Sequence, residues 1–222
     1  MFLGHYAVAL AAKKVAPQTS LGTLFVAVQL VDHLWPILLL FGLEQASIEP
    51  GITVVTPLNF ISYPYSHSLL AAIVYSAVFA VIYFGVSSYR RGAGVIALAV
   101  LSHWILDFLT HRPDLPIGFG DAKLGLGLWN SLEATVITEG LLFLTGIVVY
   151  LRATRSRNWK GFVGFWSLIV VLAGIYYANL FGPPPPSMLA VAIAGNAGWL
   201  FVLWAFWADR NRQFLTKEVP TN

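Results

Sequence analysis

The segment LSHWILDFLTHRPD, residues 101–114, spaces His103, Asp107 and His111 four residues apart. On a helix, positions i, i+4 and i+8 lie nearly above one another, so two imidazoles and a carboxylate form a column on one face. The residues between them are apolar enough to sit in lipid, where an ionisable side chain is costly and calls for a reason. Imidazole nitrogen and carboxylate oxygen together are ligands for divalent zinc, manganese or iron. Such a column can hold a divalent ion or belong to a proton relay.

Other polar residues fall at similar depth in apolar stretches. At 1.5 Å of rise per residue, His103 lies roughly 18 Å above Arg91 and Asp107 roughly 24 Å. Counted the same way, Asp32 lies roughly 18 Å above Ser20, Glu139 roughly 20 Å above Arg152, and His5 roughly 12 Å above Lys13. His67, in PYSHSLL, sits at the mouth of its helix. Gln29, Asp32 and Pro36 share a stripe, as do Ser131, Thr135, Thr138 and Glu139. Pro36 cannot donate to the carbonyl of Asp32, which predicts a kink there.

Each residue also has a structural reading. A lone intramembrane histidine commonly makes a helix-to-helix hydrogen bond. His33, about 100° from Asp32 on the helix, reads as a neighbour rather than a ligand. Glu133 points away from Glu139 toward the headgroups. His111, beside Arg112, reads equally as solvated or functional. Asp107 and Glu139 fit a histidine partnership or a proton relay as well as a metal. As a set, however, three histidines and three carboxylates at compatible depth suit a divalent ion, which would also neutralise the buried acids.

The elements that must position these groups are membrane helices. The 222-residue chain is 58% hydrophobic and 10% charged, with a mean hydropathy of +0.73. A soluble domain is about a quarter charged, so composition predicts an all-α integral membrane protein. There is no cysteine, which excludes disulfides and thiolate ligands. The start, MFLGHYAV, lacks a basic segment before its apolar run, so a cleaved signal peptide is not expected.

Six stretches are long enough to span: 21–43, 64–87, 92–111, 129–151, 161–181 and 187–208. A shorter helix, 2–14, precedes them and is expected to re-enter half the membrane and fold back on the first span, with Val15–Ser20 as the turn. If the spans alternate, eleven Lys and Arg residues fall on one side and only Arg112 and Lys123 on the other. This predicts both termini cytoplasmic in the inner membrane and loops 44–63, 112–128 and 182–186 outside. The pI of 9.2 thus reflects orientation, not nucleic-acid binding. One transmembrane domain covers 1–222, with no repeat. GPPPPS, at 182–187, reads as a stiff turn. Ala190, Ala194 and Gly198 are spaced for close helix contact, and the tail from Arg210 is expected to be mobile.

At this point the residues resemble the bacterial membrane-bound metal-dependent hydrolases, themselves distantly similar to zinc-dependent phospholipase C. The matching pieces, in order, are His5 in GHYAVAL, Asp32-His33, SHSLL around His67, and SHWILD with His103 and Asp107. GLGLWNSLEATVITEG, containing Glu139, is similar to a later motif of one branch. One position departs: the family has an acidic residue two places before Asp32, where this chain has Leu30. That bears on the number of metals and on hydrolysis itself.

The resemblance implies a membrane-embedded hydrolase in which His5, Asp32, His67, His103 and Asp107 hold one or two divalent ions, zinc first and manganese or iron next. Glu139 is the candidate catalytic base or additional ligand. His111, Arg112 and Asn130, near the outer mouth, are candidates for holding an anionic headgroup of a lipid or other phosphoester. The main rival is a transporter or proton-coupled carrier using the same cluster, although no repeat of the kind common in transporters is visible. A haem protein with histidine axial ligands is a third reading.

Overall fold

The computed structural model describes residues 1–215. Six long apolar helices match the expected spans: α2 (Leu21–Leu40), α4 (Leu69–Ser87), α5 (Arg90–Thr110), α6 (Leu132–Ala153), α7 (Trp159–Phe181), and a broken sixth. The sixth consists of α8 (Met188–Ala197) and α9 (Trp199–Arg210), interrupted at Gly198. Local chemistry starts most of them. Ser20, Ser68, Ser131, Asn158 and Ser187 each accept a backbone N–H three residues on, as N-caps. The molecule is an all-α membrane protein.

The short helix α1 (Leu3–Val15) occupies the centre of the bundle, not its surface. It packs most extensively on α6 and then on α2 and α5. Gly146 permits the α6 contact, because a Cβ there would lie 2.7 Å from the Ala7 carbonyl oxygen. Leu10, Leu24, Phe25, Leu168 and Leu172 complete a fully buried core around it. Large apolar side chains such as Val81, Leu141 and Val170 stay exposed on outer faces, as lipid-facing positions do.

The two ends differ. At one end, loops 44–63 and 112–128 carry two short hairpins, β1 (Gln45–Ile48) with β2 (Leu58–Ser62) and β3 (Leu115–Pro116) with β4 (Lys123–Leu124). A four-residue helix, α3 (Pro64–His67), leads from β2 into α4. This segment had been expected to be the start of the second span; Ser68, extended and capping α4, separates them. Trp35, Phe60, Tyr63 and Leu115 form a small apolar cluster that seals this hairpin end.

At the opposite, basic end, β5 (Thr154–Ser156) pairs with β6 (Arg212–Phe214). The start of the tail is therefore an ordered strand rather than a mobile segment, and residues 216–222 lie outside those described. Lys13, expected among the orienting surface charges, is instead buried and paired with Asp209, Nζ to Oδ2 2.7 Å. Asp209 also accepts from Leu21 N and the Tyr150 hydroxyl. Arg212 stacks over the Tyr150 and Phe165 rings. Of the expected small-residue stripe, Gly198 meets His33 of α2, whereas Ala194 is exposed; the other small residue at this contact is Gly195, against Pro36.

Candidate metal centre

His103 and Asp107 stand one turn apart on α5, with His103 Nε2 3.0 Å from Asp107 Oδ2. The His103 Nδ1 lies 2.6 Å from the carbonyl oxygen of Val28 on α2. A carbonyl only accepts, so the hydrogen-bond network assigns the proton to Nδ1 and leaves Nε2 pointing at the acids. Asp32 brings its Oδ1 to 3.5 Å from the same Nε2. Among the described residues that buried nitrogen has no hydrogen-bond partner of acceptable geometry.

His67 arrives from α3 with Nε2 3.2 Å from Asp32 Oδ1. Its Nδ1 is 2.7 Å from Ser66 Oγ, whose hydroxyl donates to Glu44 Oε2. His5, on α1, places Nε2 3.1 Å from Asp107 Oδ1 and stacks on His103. The Met1 amine also reaches Asp107 Oδ1, at 2.6 Å. Two groups of metal-capable atoms result, His5–His103–Asp107 and Asp32–His67–His103, the atoms in each lying within 4.8 Å of one another.

All five predicted ligand residues are thus brought together from α1, α2, α3 and α5, toward the hairpin end. Four are buried, while the Asp32 side chain is 38% exposed. The donor set fits a cation. Imidazole nitrogens of His103 and His67 and carboxylate oxygens of Asp32 and Asp107 converge, and these are the ligand types a divalent ion takes. These buried His and Asp groups can hold a metal ion.

Glu139 lies apart from both groups. Its Oε2 accepts from the backbone N–H groups of Phe2, at 2.9 Å, and Gly4, at 3.3 Å. It caps α1 from a neighbouring helix and so fixes the helix that delivers His5. Glu133 is exposed and His33 stacks on Trp199, consistent with their expected minor roles.

The three substrate candidates separate. His111 is buried rather than solvated, 4.3 Å from the Trp129 ring and 4.9 Å from Phe60, with Nδ1 2.9 Å from Asp114 Oδ1. Arg112 donates to Asp114 Oδ2 and to Asn59 Oδ1. It lines an open depression of about 380 Å³ together with Lys123. Asn130 is exposed at the end of a short 3-10 turn and does not border that depression. Burial pushes the Asp114 carboxyl upward, but N–H groups from His111 and Arg112 outweigh it and hold the carboxyl below its ordinary value. Tyr63 stands between this region and the cluster, donating to Asp114 Oδ1 while its ring lies 5.3 Å from that of His67.

Sequence reasoning missed Glu44, Ser66 and the Val28 carbonyl. Glu44 reads as a loop residue after a helix; the only signal available was an acid next to an apolar span end. No family model, characterised protein or solved structure matches this chain.

Proposed function

We propose that this chain is a membrane-embedded metal-dependent hydrolase acting on a phosphoester or lipid-linked substrate. Its cofactor in this reading is a divalent ion, zinc first, held by His5, Asp32, His67, His103 and Asp107. The single observation that carries the reading is the buried, unpartnered Nε2 of His103, aimed between two carboxylates with its Nδ1 already committed. Metal-ligating histidines commonly have the other ring nitrogen held this way.

When bound, the ion supplies Lewis acidity that brings a water molecule's pKa to about 7. The protein's own residues do the rest. His103 and Asp107, one turn apart on a rigid helix, set the ligand geometry without backbone strain. Asp32, the one ligand of the five that is partly exposed, would hold the ion from the side that is least buried. Glu139 keeps α1 seated and His5 in register. Arg112 and Lys123 give the hairpin end a cationic rim for an anionic headgroup. The excess of Lys and Arg on the opposite end argues that this rim faces outward from the cell membrane.

Elemental analysis of protein purified without added metal, paired with phosphate release from lipid-linked phosphoesters, tests the reading. Bound metal in the wild type, lost together with activity in His103→Ala, is the expected result. A wild type that stays metal-free after zinc or manganese is supplied overturns it.

A further inference from the structure

Glu44 and Ser66 form a buried chain behind His67. Glu44 is 2% exposed and Ser66 fully buried. The Glu44 Oε1 accepts the backbone N–H groups of Tyr65, at 2.9 Å, and Ser66, at 2.8 Å. Its Oε2 lies 2.7 Å from Ser66 Oγ, and Ser66 Oγ lies 2.7 Å from His67 Nδ1.

The directions of these bonds follow from counting protons. Glu44 accepts on both oxygens, from two backbone N–H groups at Oε1 and from the Ser66 hydroxyl at Oε2. Ser66 has one hydroxyl proton and gives it to Glu44. The Ser66 oxygen then accepts from His67, so the proton of His67 resides on Nδ1. In the neutral imidazole His67 Nε2, 3.2 Å from Asp32, then carries the lone pair. A reversed chain would protonate Nε2 and remove it as a ligand.

We propose that Glu44, acting through Ser66, is a positioning residue that locks His67 in its ligating tautomer and orientation. The proposal rests on the metal reading above. A simpler role exists for Glu44, as the cap of α3, and the two roles separate at Ser66. Ser66→Ala retains both backbone N–H groups, and so the cap, but cuts the link to His67. Ser66→Thr retains the hydroxyl. Glu44→Gln retains an oxygen for the cap, but its amide nitrogen would donate to Ser66 and reverse the chain.

Zinc affinity is measured on the full-length protein in detergent by competition with a chromophoric chelator, alongside thermal unfolding of the metal-free protein. The outer partners of metal ligands are typically worth 10–100-fold in affinity. Ser66→Ala and Glu44→Gln should therefore weaken zinc binding about 10–100-fold, with Ser66→Thr restoring it. A wild type that binds zinc while both Ser66→Ala and Glu44→Gln bind it equally well overturns the proposal and leaves the metal reading standing. Loss of thermal stability with unchanged zinc affinity is the signature of the cap alone, and likewise overturns it. A wild type that binds no zinc overturns this proposal, and the metal reading with it when manganese is not bound either. If Ser66→Ala does not fold, the comparison between Glu44→Gln and wild type decides by the same criterion.

Discussion

The imidazoles of His5 and His103 lie face to face, with ring centroids 3.7 Å apart and planes 3° from parallel. One ring comes from the short central helix and the other from a span, and Asp107 contacts both. Two stacked imidazolium cations would repel, so at most one of the two rings carries a charge.

Asp107 is the centre of that arrangement. Asp107→Ala should abolish metal binding and activity together, because it removes the carboxylate shared by the histidines. His111→Ala should retain metal, since His111 belongs to the separate Asp114 and Tyr63 network. Metal-to-protein ratios for the two variants decide this. Loss of metal in His111→Ala with retention in Asp107→Ala would refute the assignment.

Packing should control the site from a distance. Gly146→Ala places a methyl group against the backbone of Ala7 and should cost about 1–3 kcal/mol of stability through overpacking. Displacing α1 also moves His5, so metal affinity should fall although position 146 carries no ligand. A variant with lowered Tm and unchanged affinity would show that α1 shifts without disturbing His5.

The basic end should behave oppositely. Asp209→Ala leaves Lys13 buried without its carboxylate, and breaking a buried pair from one side costs about 3–5 kcal/mol. The protein that remains folded should keep its full metal content. Unfolding in detergent together with elemental analysis tests both parts.

Asp114 should contribute a defined pH dependence. Its folded-state pKa is held down despite burial, because His111 and Arg112 hydrogen-bond the ionised form. Its stabilisation is therefore present above the unfolded carboxylate pKa of about 3.9, and is lost as pH falls through the lower folded value. The stability gap between wild type and Asp114→Asn should hold steady from neutral pH to about 4 and narrow below it. A gap that widens on acidification contradicts the assignment.

Orientation is tested independently. Reporter fusions after Arg157 should read cytoplasmic, and fusions within 113–127 should read external. The reverse result would place the Arg112 rim on the cytoplasmic side.

Much was legible because it is local. Apolar run length marks six spans, and four-residue spacing puts His103 and Asp107 on one face whatever surrounds them. Depth counted along each helix was enough to collect His5 and Asp32 as well, while His67, at the mouth of its helix, entered through the resemblance of SHSLL. Tertiary structure decided which partner each polar atom takes. Glu139, at a suitable depth for a base, is claimed by the first turn of α1. His111, in the same column as His103, turns into an aromatic pocket where its helix ends. Glu44 gains its place only because the chain after α2 folds back beside Ser66, 22 residues on. Helical periodicity fixes directions within one element, whereas a hydrogen bond depends on separations of about 3 Å between elements. Those separations are set by the packing of the whole bundle, down to one absent Cβ at Gly146.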